Sequence, residues 1–166
     1  MKKSYVAGTT EYALRDITLG ELLADAAHAH PGRLALIAGV ANPAERTRWT
    51  FAELYAESQA VARVLAEDFE PGERVAVWAG SVPEWVMLEF GAAMAGVILV
   101  TVNPSFQASE LQYVLTQSRA SGLFLQHSCR GNPLAAHAQS VRHNCHDLRS
   151  ITSLDDWHLV LERGRA

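Results

Sequence analysis

Short apolar runs alternate with helix-like segments through the middle of this chain, and this alternation constrains the fold more than any other feature. The run Val75–Ala79 is continuously apolar, as in strands whose two sheet faces are both covered, and Val97–Val102 and Gly122–Leu125 predict further strands. Connections of about two to six residues separate them from the helices, which is typical of right-handed crossovers between parallel strands. The order predicts an α/β domain with a largely parallel sheet flanked by helices.

Residues typical of helix ends predict where four of the helices begin. The start signals are Thr18 with Glu21, Thr50 with Glu53, Ser81 with Pro83 and Glu84, and Ser109 with Glu110. Gly96 is predicted to end the third helix. The apolar run Leu34–Ala38 lies between turn residues and predicts a further buried strand. The C-terminal third predicts a helix within 132–145, a short strand at 148–151 and a last helix at 155–163.

Composition excludes several classes of protein. The chain has 166 residues, 49% of them hydrophobic and 19% charged, which is the balance of one soluble globular domain. A net charge of −4 gives no basic stripe for a nucleic-acid partner. The longest apolar stretch, Trp85–Val102, contains Glu89 and two glycines, so no transmembrane segment is predicted. The two cysteines, Cys129 and Cys145, form no paired motif and favour reduced thiols in the cytoplasm.

Several motifs that carry chemistry are absent from the sequence. No two glycines are separated by a single residue, and the lysines are Lys2 and Lys3, so neither the dinucleotide fingerprint nor the lysine-containing phosphate loop is present. Six histidines and cysteines crowd positions 127–146, but their spacing does not pair them as zinc ligands. We therefore predict no catalytic residue and no metal site within this chain.

Five segments, taken in order and at their spacings, resemble one enzyme family. They are Arg48–Leu54, Pro71–Trp78, Val82–Trp85, Met94–Pro104 and Ser109–Leu115, with Arg130–Pro133 and Asp155–Trp157 also matching. Together they are similar to the N-terminal part of the adenylate-forming ligases, specifically the AMP-forming fatty acyl-CoA synthetases. The resemblance runs from about Leu19 to the end of the chain.

The resemblance implies an activity, and it implies that the catalytic residues lie in other parts of such enzymes. This family activates a fatty acid or other carboxylate with ATP and Mg²⁺ to an acyl-adenylate, then transfers the acyl group to CoA. Its phosphate loop, magnesium-associated glutamate, ribose-binding aspartate and catalytic lysine have no counterpart here. We expect residues 1–17 to be a lead-in and residues 18–166 to be a truncated, incomplete N-terminal part of the AMP-binding domain. That piece would bind no cofactor and be inactive by itself, and its partner would be the remainder of the ligase.

Arg130 is the one candidate site residue. The resemblance implies that basic residues near this position lie at the entrance used by CoA, where a guanidinium can make two charge-assisted bonds to a phosphate. The alternative is an exposed loop arginine without a ligand.

Two other interpretations of the whole chain stay open. One is a non-catalytic binding or regulatory module related to the ligases. The other is an unrelated nucleotide-binding α/β domain, which is supported only by the alternation of strands and helices. If the chain is instead a truncated piece of a ligase, a sheet cut after its first strands should leave one apolar face uncovered and one edge unpaired.

Overall fold

The computed structural model describes Ser4, residues 6–9 and residues 14–166. The rest of the predicted lead-in, residues 1–3, 5 and 10–13, lies outside the described residues. The elements are α1 (Leu19–Ala29), β1 (Leu34–Ile37), β2 (Arg48–Thr50), α2 (Phe51–Asp68), β3 (Arg74–Trp78), α3 (Pro83–Ala95), β4 (Ile98–Val102), α4 (Ala108–Ser118), β5 (Ala120–Leu125), α5 (Leu134–Val141), β6 (Ser150–Ser153) and α6 (Trp157–Arg165). Short 3₁₀ turns lie at Pro43–Glu45, Arg142–Asn144 and Leu154–Asp156.

Four parallel strands form the main sheet, in the spatial order β4-β3-β5-β6. From β3 the chain passes through α3 to β4 on one side, then returns through α4 to β5 on the other side of β3. The central position of β3 explains its continuous apolar sequence, because Val75, Ala76, Val77 and Trp78 have no exposed surface. The predicted α/β class with a parallel sheet is confirmed.

Helices cover both faces of this sheet. Val75, Val77 and Phe124 belong to a buried cluster with residues of α1, α2, α3 and α6. Ala76 and Trp78, which alternate with them along β3, belong to a second cluster with residues of α4 and α5. The expectation of an uncovered apolar face is therefore wrong, because the last helix, α6, returns to pack against α2 on the first face. Within the described residues both outer strands, β4 and β6, have one unpaired edge.

The first predicted strand lies outside the main sheet. Residues Leu34–Ile37 form β1, which pairs with β2 in a separate antiparallel hairpin. Leu34 and Ile37 are each 44% exposed, so the prediction of a buried strand is wrong in its burial although correct in its position. A two-stranded hairpin packs one face on the domain and leaves the other to solvent, whereas a strand inside the parallel sheet would be covered twice.

The structure confirms most of the predicted helix ends. Thr18 and Thr50 each accept a hydrogen bond from the backbone of the glutamate three residues on, and that glutamate accepts one back. These bonds to the threonine backbone lower the pKa of Glu21 and of Glu53. Gly96 ends α3 at a φ of 72°.

Other predicted boundaries shift by a few residues. Val82, not Ser81, caps α3, and it offers no side-chain bond. The fourth helix begins one residue early, at Ala108, and β5 begins two residues early, at Ala120. In the C-terminal third, α5 is shorter than predicted, while β6 and α6 each begin two residues later than predicted.

Candidate functional site

A cleft opens where three parallel strands end. Its floor is built from Ala79 and Gly80 after β3, Thr101 to Asn103 at the end of β4, and Gln126 after β5. The chain leaves β3 towards α3 on one face and leaves β5 towards α5 on the opposite face, so the two loops part at this point. Such a crevice at the carboxyl ends of neighbouring strands is where open parallel sheets bind their ligands.

The walls of the cleft are apolar. The hairpin contributes Leu36 and Ile37, the start of α3 contributes Val82 and Trp85, and Phe106 closes the side next to β4. The cleft is open to solvent and has a volume of about 1280 Å³. Pockets for cofactor-sized molecules span about 300–1,000 Å³, so this cleft has room for a large ligand with an extended apolar part.

Two hydrogen bonds fix the floor. The Gly80 amide donates to Oε1 of Gln126 at 2.8 Å, which joins the ends of β3 and β5. The indole Nε1 of Trp78 donates to the carbonyl oxygen of Asn103 at 2.8 Å, which joins the ends of β3 and β4. A Cβ atom at position 80 would lie only 3.1 Å from Sγ of Cys129, so glycine lets these two loops approach closely.

Arg130 lies at the rim of this cleft, at the tip of a two-residue turn. Cys129 and Asn132 exchange backbone hydrogen bonds of 3.0 and 2.9 Å across the turn. Arg130 and Gly131 have φ angles of 49° and 83°, and positive φ at both central residues defines a type I′ turn. Arg130 is a predicted site residue, whereas the turn itself is not predicted, although glycine at its second central position is a typical signal.

Charge at the site comes from a single side chain. Among the described residues that line the cleft, Arg130 is the one with a formal charge, and it is exposed. One guanidinium can hold one phosphate group through paired hydrogen bonds. The described lining offers no second cation beside Arg130.

The histidines and cysteines of the C-terminal third do not gather into a site. Cys145 is buried against the second cluster, and burial raises the pKa of its thiol, while His143 and His146 are exposed. Among the described residues, no group of three or more histidine, cysteine, aspartate or glutamate side chains is placed to hold a metal ion. Within the same residues, no helix combines the length and the apolar character needed to cross a membrane.

The fold defines a class, an α/β domain with a cleft at the carboxyl ends of its parallel strands, where such sheets commonly bind ligands. Residues 23–164 match the family model described as AMP-binding enzyme, and the chain belongs to that family. The acyl-CoA synthetases of this family form adenylates and depend on ATP and CoA.

Two curated relatives of this chain are named as acyl-CoA ligases. The chain is 37% identical over 121 residues to the rat mitochondrial medium-chain acyl-CoA ligase ACSF2, covering 72% of this chain and 19% of the relative. It is 38% identical over 121 residues to acyl-CoA ligase SID4 of Ajellomyces capsulatus, covering 72% of this chain and 20% of the relative. The chain thus spans about a fifth of the length of these curated relatives.

A solved structure shows the same fold. The N-terminal domain of FACL13 from Mycobacterium tuberculosis superposes with a TM-score of 0.77 at 23% identity, over 88% of this chain and 36% of that chain. At this identity the likeness establishes the arrangement of strands and helices.

Proposed function

We propose that this chain works as the N-terminal part of an AMP-forming acyl-CoA synthetase, which joins a fatty acid or other carboxylate to CoA at the expense of ATP. The family match over residues 23–164 and the acyl-CoA ligase relatives support the class of reaction. The observation that carries the role of this part is the cleft, whose walls are apolar and whose rim holds one guanidinium.

In this proposal the cleft receives CoA, which departs from the expectation that this piece binds no cofactor. CoA joins a long, weakly polar arm to a nucleotide with exposed phosphates. The cleft offers apolar walls for the arm and, at its rim, one cation for a phosphate. In this proposal Arg130 holds a phosphate at the nucleotide end of CoA through charge-assisted hydrogen bonds. The arm lies along Trp85 and Phe106.

Adenylation itself belongs to other parts of the ligase in this proposal. The reaction needs positive charge placed on the triphosphate in the transition state, and the described cleft supplies a single arginine. We therefore assign no catalytic residue and no metal ligand to this chain. Its main partner is the remainder of the ligase, in the cytoplasm, where the two free cysteines would stay reduced.

A stand-alone module that binds CoA or a full-length ligase is the second candidate, because helices cover both faces of the sheet. An assay of ATP–pyrophosphate exchange with fatty acids of several lengths separates catalysis from binding. We expect exchange no faster than the buffer control. Exchange that depends on fatty acid would overturn the assignment of adenylation to other parts.

Calorimetric titration of the chain with CoA tests the role of Arg130. Arg130→Ala should weaken binding about tenfold or more, since a hydrogen bond to a charged group contributes about 1.5–3 kcal/mol. Arg119→Ala is the matched control, because Arg119 is also exposed and has a φ of 54°, but it lies at the amino end of β5. Equal affinities of both variants and the wild type would refute the assignment.

A full-length relative that carries this segment gives an independent test. The same Arg130→Ala change there should raise the KM for CoA and leave the adenylation half-reaction unchanged, because lost ground-state binding appears in KM. A parallel fall in both half-reactions would make the arginine a structural residue instead.

A further inference from the structure

We propose that Asn132 is a positioning residue that holds Arg130 at the rim of the cleft. The proposal rests on the function proposed above, in that Arg130 is taken as the phosphate contact. Asn132 lies immediately behind the Arg130-Gly131 turn and is half-buried, whereas the arginine itself is exposed. The role of Asn132 follows from the acceptors to which its two side-chain amide hydrogens are donated.

Both side-chain hydrogens of Asn132 are used to bind the neighbouring loop. Its Nδ2 donates to the carbonyl oxygen of Pro104 at 2.9 Å and to that of Phe106 at 2.8 Å. Both acceptors belong to the loop between β4 and α4, so the amide joins two loops that lie on opposite sides of the cleft floor. Only a primary amide offers two donors in this geometry from so short a side chain.

The loop that receives these bonds is itself fixed to the buried sheet. The Trp78 indole donates to the Asn103 carbonyl at 2.8 Å, and the Phe106 amide donates to the same carbonyl at 3.0 Å. The Ser105 amide donates to Oδ1 of Asn103 at 2.9 Å. Hydrogen bonds therefore run without a break from the fully buried Trp78, through the 103–106 loop, to Asn132.

From Asn132 the same chain of bonds reaches the turn. The backbone of Asn132 exchanges two hydrogen bonds with Cys129, and its carbonyl also accepts from the Leu134 amide at 3.0 Å. The turn that carries Arg130 is thus closed by the residue whose side chain is bound to the opposite loop. Within the described residues Arg130 makes no hydrogen bond or ion pair of its own, so the residues that flank it set where the tip of the turn lies. The start of the same loop is held separately, by the His127 amide on Asp155 and by the Ala135 amide on the His127 carbonyl.

Positioning matters because a flexible cation binds weakly. An arginine side chain loses considerable rotamer freedom when it binds a phosphate, and a mobile turn would add its own ordering cost. By fixing the turn before the ligand arrives, Asn132 would remove that second cost. The consequence is a coupling: the contribution of Asn132 to CoA binding should exist only while Arg130 is present.

The test is a double-mutant cycle measured by titration of the full chain with CoA. Asn132→Ala removes both donors without adding charge, and Asn132→Asp removes them in an isosteric side chain. Each should weaken CoA binding several-fold, up to about tenfold for the aspartate. Combined with Arg130→Ala, either change should add little beyond the loss from Arg130→Ala alone. Asn144→Asp is the control, because Asn144 also donates a side-chain hydrogen bond, to Gln112 at 3.0 Å, and lies outside the cleft lining.

Amide hydrogen exchange supplies a second measurement that needs no ligand. The Asn132 variants should lower protection of the amides of Cys129 and Asn132 while the β3 amides of Val75 and Val77 stay protected. Additive losses in the cycle, or unchanged protection of the turn, would overturn the positioning role, as would a general loss of protection that includes β3 in both variants. If Arg130→Ala binds CoA as the wild type does, the proposed phosphate contact fails, while exchange still decides whether Asn132 fixes the turn.

Discussion

The ion pair between Arg149 and Glu73 links the segments that immediately precede β6 and β3, and its removal should destabilise the domain in a pH-dependent way. Nη1 of Arg149 lies 2.5 Å from Oε1 of Glu73, and Nη2 lies 2.7 Å from Oε2. The Glu70 amide and the Ser121 hydroxyl also donate to this carboxylate, each at 2.9 Å. The guanidinium lies 5.5 Å from the centre of the Phe69 ring, which adds a cation–π contact.

These contacts lower the pKa of Glu73 from its ordinary value of 4.5 to about 2, with the Arg149 hydrogen bonds as the largest cause and the Glu70 amide next. A lowering of this size corresponds to about 3.5 kcal/mol, at about 1.4 kcal/mol for each pH unit. The Arg149 side chain is 54% exposed, however, so solvent screens the pair. We therefore expect Glu73→Gln to cost about 1–2 kcal/mol of unfolding free energy at pH 7.

The pH dependence follows from the sign of the pKa change. A carboxyl group with a lowered pKa in the folded state contributes its full stabilisation above its unfolded pKa and loses it as the pH falls. The difference between wild type and Glu73→Gln should thus be constant from pH 7 down to about 5. It should then shrink between 4.5 and about 2, the two pKa values of Glu73.

Urea unfolding followed by circular dichroism at pH 7, 5 and 3.5 measures this difference. Glu162→Gln is the matched control, since Glu162 is exposed on α6 and makes no side-chain bond among those described, and it should change stability by less than about 0.5 kcal/mol. A Glu73→Gln penalty as large at pH 3.5 as at pH 7 would refute the electrostatic account, because packing losses do not titrate.

Two further substitutions test the packing and the helix ends. Gly164→Ala should destabilise the domain by about 2–3 kcal/mol, because the new Cβ would lie 2.1 Å from the backbone oxygen of Ala60 at the crossing of α6 and α2. Gly32→Ala, which meets nothing within 4 Å, is its control in thermal unfolding. Thr50→Ala should cost about 1 kcal/mol by removing the acceptor that caps α2. The loss should show as a lower midpoint in urea, and an unchanged midpoint would mean that water replaces the cap.

The features that sequence reasoning predicted well are those whose partners lie close along the chain. In a capping box the two residues are three positions apart, and at Gly96 the left-handed backbone conformation belongs to the glycine itself. The continuous apolar run of β3 is a local signal too, because burial on both faces excludes polar residues from the strand. Local sequence signals therefore predict the fold class, the alternation of strands and helices, and most helix starts.

The features it missed depend on partners that are distant in sequence. A short apolar run such as Leu34–Ile37 has the same sequence pattern in an exposed hairpin as in a buried sheet. Its pairing with β2 determines that it forms a hairpin here. Asn132 binds carbonyl groups 26 and 28 residues before it, and nothing in the residues around it indicates that contact. The cleft itself forms only because the strand order places the ends of β3 and β5 side by side.

The position of the single cation at the rim also constrains how a ligand could lie in the cleft. On the proposed function, a phosphate held by Arg130 stays in contact with solvent, while the weakly polar arm runs inward along the apolar walls. An ion pair at an exposed rim is screened by salt, whereas contact between the arm and the walls is not. Affinity for CoA should therefore fall with ionic strength to a floor set by the walls, and Arg130→Ala should start at that floor and show no such fall. A salt dependence that persists in Arg130→Ala would show that other charges attract the ligand.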